Sequence, residues 1–131
     1  MAKRTGGSRG ATRRGEAAYQ PERGHFVFLD FTPQAGTEQA GRRPALVLSP
    51  LAYNIASGLA LACPVTSQVK GGPFEVPIPR GAMIAGVVLS DHVRSIDWLA
   101  RKASFHSVAP RDVVLEVLAR IEALLQLSLD P

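Results

Sequence analysis

The chain has one cysteine, Cys63, so no disulfide forms within it. It sits in Leu59-Ala60-Leu61-Ala62-Cys63-Pro64-Val65 with no activating neighbour, and reads as a small core residue. No apolar run reaches the roughly 18–20 residues that span a bilayer. The N-terminus carries basic residues but no apolar h-region, so a secretory signal is not expected and the chain reads as cytoplasmic. The strand–helix alternation of a dinucleotide-binding fold is missing. So are a phosphate-binding P-loop, an internal repeat, and any His/Cys/carboxylate spacing that would hold a metal. Neither a cofactor nor a metal is expected.

What is present is enough for one domain: 131 residues, of which 46% are hydrophobic. The net charge of +4 is unevenly placed. Lys3, Arg4, Arg9, Arg13 and Arg14 stand against Glu16 alone in residues 1–20, and removing these from totals of 15 basic and 11 acidic side chains leaves ten of each. Residues 1–20 are rich in Gly, Ser, Ala and Arg, and are expected to form a disordered basic arm ahead of a domain over 21–131. The domain itself is balanced, so any polyanion site on it must be a local patch.

His25 to Phe31 predicts a strand apolar at nearly every position, hence covered on both faces. Pro44 to Leu48 predicts a second strand. Ser49-Pro50 suggests an N-cap and a first-turn proline for a short helix that Gly58 stops. Leu59 to Val65 is a third, buried strand ending in the polar turn Thr66 to Gly72. Phe74 to Ile78 alternates around Pro77, which places it at a sheet edge. Gly86 to Asp91 and Val93 to Asp97 give two strands with a kink between them, and Ala103 to Val108 a weaker one. After Pro110, residues Val114, Val117, Leu118, Ile121, Leu124 and Leu125 recur at steps of three and four, drawing the apolar stripe of one long helix. Glu116 and Arg120 lie four apart on its other side. Short strands, punctuated turns and one terminal helix predict a small, partly closed antiparallel barrel.

The most informative stretch is Gly36-Thr37-Glu38-Gln39-Ala40-Gly41-Arg42-Arg43-Pro44 with the strand behind it. Two adjacent guanidiniums beside a glycine-containing loop and a rigid strand suit the gripping of phosphate. With this stretch, three further blocks carry a resemblance: Gly24 to Asp30, Pro64 to Gln68 with Lys70-Gly71 and Pro73 to Val76, and Leu89 to Trp98 with Ala100-Arg101. Across roughly residues 22–127 the chain resembles the MazF/PemK family of toxin endoribonucleases, the toxic halves of bacterial toxin–antitoxin pairs. The resemblance implies an SH3-like barrel with a C-terminal helix, working as a homodimer with an RNA groove across the subunit interface. It implies metal-independent cleavage of single-stranded RNA by 2′-hydroxyl attack, leaving a 2′,3′-cyclic phosphate and a 5′-hydroxyl. It also implies an antitoxin partner whose disordered segment covers the groove.

By position in the family pattern, Arg43 is the catalytic arginine, Thr66 the strand-end threonine facing a phosphate oxygen, and Glu38 a carboxylate proposed as base. Gln39, Arg42, Ser67, Gln68, Lys70, Phe31 and Asp91 are the expected RNA contacts. Thr37 and Leu89 replace a histidine and an arginine found in some relatives, so acid–base schemes built on those groups do not transfer. His25, His92 and His106 read as structural or RNA-edge residues. Two other functions fit the same fold: a poison of DNA gyrase, whose known examples lack the Arg-Pro/Thr pairing seen here, and an inactive barrel that represses transcription with its antitoxin.

Overall fold

The computed structural model describes residues 19–31 and 41–126. Its elements are β1 (His25–Asp30), β2 (Arg42–Val47), α1 (Leu51–Ser57), β3 (Leu59–Thr66), β4 (Glu75–Pro77), β5 (Val87–Leu89), a 3₁₀ turn (Ser90–His92), β6 (Arg94–Asp97), β7 (Ser104–Val108) and α2 (Arg111–Leu125). The seven strands form one antiparallel sheet in the order β4-β5-β3-β2-β1-β7, with β6 also paired to β3. The sheet curls without closing.

β3 makes the curl. Leu59 to Ala62 pair with β6, whereas Val65 and Thr66 pair with Val88 and Val87 of β5. One strand thus serves two parts of the sheet, and its last residue, Thr66, lies where they diverge. β4 is at the edge, as the missing amide of Pro77 requires.

Both faces of the central strands are covered, as the unbroken apolar run in β1 foretells. On one face Phe26, Leu46, Cys63, Val65 and Val88 pack under Val113, Val114 and Val117 of α2. On the other, Val27, Leu29, Ala45, Val47, Ala60 and Ala62 pack with Ile96 and Trp98. Each such burial is worth roughly 1.5–3 kcal/mol before entropy is charged against it. Tyr19 packs on this second cluster, so the folded part of the chain reaches into the segment assigned to the arm.

Three local expectations are corrected. Ser49 is not a helix cap: Pro50 holds that position, while the buried Ser49 hydroxyl donates to Asn54 Oδ1 (2.6 Å) and accepts the Leu61 amide (2.8 Å). A fully buried asparagine needs such partners, and Asn54 Nδ2 also donates to Pro21 O and Ser49 O. β3 is buried only in part, with Leu59 and Leu61 exposed. The α2 stripe includes Val113 and ends near Ile121, the last of its residues packed against the core, and Leu125 is 75% exposed. Gly58 terminates α1 as expected, in the left-handed conformation (φ 74°).

Candidate active site

β2 begins two residues earlier than its apolar run suggests, so both arginines stand on the strand and alternation sends them to opposite faces. Arg42 lies across from Asp30, and its guanidinium donates to Asp30 Oδ1 (3.1 Å), Phe28 O (3.0 Å) and Ser104 Oγ (2.9 Å). It ties β2 to β1 and β7. Arg43 lies across from Leu29, on the face of Ala45, and is exposed. Its side chain has no hydrogen bond or ion pair among the described residues. Of the two guanidiniums, Arg43 is the one without a partner among the described residues.

The β2–β3 register sets Ala45 against Pro64 and Val47 against Ala62. The pairing ends there: Arg43 lies two residues before Ala45 on β2, and Thr66, two residues beyond Pro64 on β3, pairs with Val87 of β5. The Thr66 hydroxyl oxygen accepts the Gln68 amide (3.1 Å), which caps the turn and leaves the hydroxyl proton to donate elsewhere. Behind it, Gly86 has φ 119°, and a Cβ there would lie 2.9 Å from the Thr66 carbonyl carbon and closer still to its oxygen. Only glycine lets β5 approach the Thr66 backbone this closely.

A cavity of about 300 Å³ opens beside Thr66, lined also by Gln68, Lys70, Phe74, Glu75, Leu89, Asp91 and His92. Four of the expected residues, Thr66, Gln68, Lys70 and Asp91, therefore meet at one place. Ser67 does not line this cavity. Phe31 sits apart, with the Arg94 guanidinium 5.5 Å from its ring centroid, a cation–π contact. Glu38 and Gln39 lie outside the described residues. The segment carrying them is pinned at its base: the Phe31 amide donates to Gly41 O (3.0 Å), and Arg101 Nη1 donates to Asp30 O (2.7 Å) and Phe31 O (2.9 Å).

His92 is in the cavity wall with Nε2 3.8 Å from Asp91 Oδ1. The other two histidines are packing residues. His25 Nδ1 lies 2.6 Å from the Tyr19 hydroxyl and its ring meets Phe105 edge-on, while His106 meets Phe28 edge-on. Burial, offset in part by Glu22, lowers the His25 pKa. Cys63 is buried as expected, its thiol pushed up to about 12 by that burial and by Asp91. Arg94, Arg101, Glu75 and Gly86 had no role in the sequence reading. The glycine pair Gly71-Gly72 shortly before Glu75 was the one visible hint.

The fold is an open antiparallel barrel with a terminal helix and a cavity at the end of β3 that Thr66 lines and Arg43 does not. Residues 22–125 match the family described as PemK-like, MazF-like toxin of type II toxin-antitoxin system. The chain belongs to that family. It is 46% identical over 108 residues to the endoribonuclease toxin MazF of Escherichia coli K12, an alignment covering 82% of this chain and 96% of that one. The endoribonuclease toxin ChpB of the same organism is 39% identical over 110 residues, covering 80% and 94%. Among solved structures, a MazE-MazF crystal structure from Deinococcus radiodurans superposes with a TM-score of 0.77 at 55% identity, covering 84% of this chain and 100% of that one.

Proposed function

We propose that this chain is the toxin of a type II toxin–antitoxin pair and cuts single-stranded RNA at a short base sequence in the cytoplasm. The observation that carries the reading is that Arg43, exposed and without a partner among the described residues, stands on β2 two residues before the stretch paired to β3, whose last residue, Thr66, lines the cavity. The 2′-oxygen attacks the adjacent phosphorus and gives up its proton. The bond from phosphorus to the 5′-oxygen breaks, and that oxygen takes a proton. The products are a 2′,3′-cyclic phosphate and a 5′-hydroxyl. Arg43 neutralises the charge that builds on the non-bridging oxygens, and Thr66 donates a hydrogen bond to one of them. Glu38 is the candidate base. Gln39, Ser67, Gln68, Lys70, Phe31 and Asp91 border the RNA path, whereas Arg42 serves it indirectly by fixing the strand on which Arg43 stands. The reaction needs no metal, because side chains supply both the charge and the proton transfers.

The active form is a homodimer with the groove running between subunits, and a MazE-like antitoxin blocks it by laying a disordered segment there. Relatives named as endoribonuclease toxins support the activity, and a neighbour crystallised as a MazE-MazF complex supports an antitoxin partner. The test is incubation of purified protein with a long single-stranded RNA in EDTA, followed by mapping of the ends. Discrete cuts bearing cyclic phosphate establish the enzyme. Intact RNA together with gyrase inhibition would place the chain with the poisons instead, and intact RNA with operator binding alongside the antitoxin would make it a repressor subunit.

A further inference from the structure

The turn from Thr66 to Gly72 carries two side chains into the cavity, Gln68 and Lys70, and the sheet does not hold it directly. Its start is capped by the Thr66 hydroxyl on the Gln68 amide, and its far half is held by one carboxylate. The Lys70 amide donates to both oxygens of Glu75 (3.2 and 3.1 Å) and the Gly71 amide donates to Oε1 (2.8 Å). Gly71 itself has φ 82°, a conformation that glycine adopts readily. Two consecutive amides converging on one anion form a backbone nest, and charge-assisted bonds of this kind are stronger than neutral ones. The Glu75 amide in turn donates to Gly72 O (3.2 Å), closing the turn from the other side.

Glu75 is well placed to act as an anchor. It stands on β4 opposite Leu89, next to Val76, which is 2% exposed, and Phe74 O accepts both the amide and the hydroxyl of Ser90. The carboxylate is spent on backbone amides, so it is not the group that reads RNA. We infer that Glu75 is a positioning residue that fixes the 66–72 turn and thereby sets which bases the cavity accepts. This rests on the nuclease reading, and deepens it by assigning base selection to an ordered turn.

The test compares the full-length protein with Glu75→Gln, which keeps the length but loses the charge and one acceptor, and with Glu75→Ala. Amide hydrogen exchange at Lys70 and Gly71 should speed up by about tenfold or more in both, as local opening becomes easier. On an oligonucleotide chosen from the wild-type cut map, KM should rise about tenfold with kcat within about threefold, the pattern of lost binding rather than lost chemistry. End mapping on long RNA should show additional cut sites. If Glu75→Gln folds, cuts the wild-type sites alone and keeps the wild-type KM, the inference is overturned while the nuclease reading stands. Wild-type protein that cuts no RNA would remove both.

Discussion

Replacing Gly86 by alanine tests how Thr66 is held. The added Cβ meets backbone, namely the carbonyl of Thr66 and the Cα of Ser67 at 3.2 Å, so no side-chain rotation relieves the overlap. Two costs combine. Holding a non-glycine residue at φ 119° costs about 1–3 kcal/mol. Forcing two backbones apart adds about 1–3 kcal/mol. A loss of about 3 kcal/mol is a large share of the roughly 5–15 kcal/mol that holds such a domain. With an m-value of about 1.5 kcal/mol/M it lowers the urea midpoint by about 2 M. Gly58 supplies the control, because it too has positive φ (74°) yet a Cβ there meets nothing within 4 Å. Gly58→Ala should cost only about 1 kcal/mol. Urea unfolding followed by Trp98 fluorescence measures both variants, and RNA cleavage below the transition reports whether Thr66 has shifted. Equal midpoints for the two variants would refute the close approach of β5 to Thr66, and with it this account of how the hydroxyl is placed.

The two neighbouring arginines should separate cleanly. Arg43→Ala is expected to lower cleavage by about 10²-fold or more at unchanged stability, whereas Arg42→Ala costs about 1 kcal/mol of stability with the cut site retained; cleavage assays beside urea curves decide between them. His25 gives a pH signature. Its folded pKa lies below the ordinary 6.5, so its contribution is complete above that value and is lost as pH falls through 6.5 toward the folded pKa. Unfolding midpoints should therefore decline between pH 7 and pH 5 by more in the wild type than in His25→Gln, and parallel curves would count against it. Deleting residues 1–18 should leave the cut site unchanged and flatten the salt dependence of RNA binding, since the excess positive charge resides there; a shifted cut site would show that the arm helps to read bases.

Much of the fold was legible because period and punctuation agree. The apolar run in β1, the edge proline of β4, the left-handed Gly58 and the spacing along α2 each correspond to an element in the structure. The start of β2 was not legible, because Arg42 and Arg43 look like loop residues until Asp30 and Ser104 are placed beside them, and those contacts span 12 and 62 positions. Ser49 misled for the same reason: a capping sequence was overridden by a buried asparagine that needed its hydroxyl. At the site, Arg43 and Thr66 follow from the family pattern, but their placement on neighbouring strands depends on strand pairing, which local sequence does not encode. The residues that hold the turns, Arg101, Glu75 and Gly86, carry no chemical signature of their own. They act on backbone atoms.

That division explains how a domain with balanced charge could address a polyanion. Arg42 is neutralised by Asp30 and Arg120 by Glu116 (2.7 Å), while Arg23 and Arg101 are spent on carbonyl oxygens. Among the described residues Arg43, Lys70 and Arg94 have no carboxylate within ion-pair distance, and neither do Arg80, Lys102 and Arg111. Arg94 extends over Phe31 at one end of the segment carrying Glu38, Arg43 follows that segment on β2, and Lys70 borders the cavity beside Thr66. In the proposed function Arg43 and Lys70 meet the phosphates, one held by a strand and the other by a clamped turn, and base selection is left to the shape of the cavity that Lys70 lines.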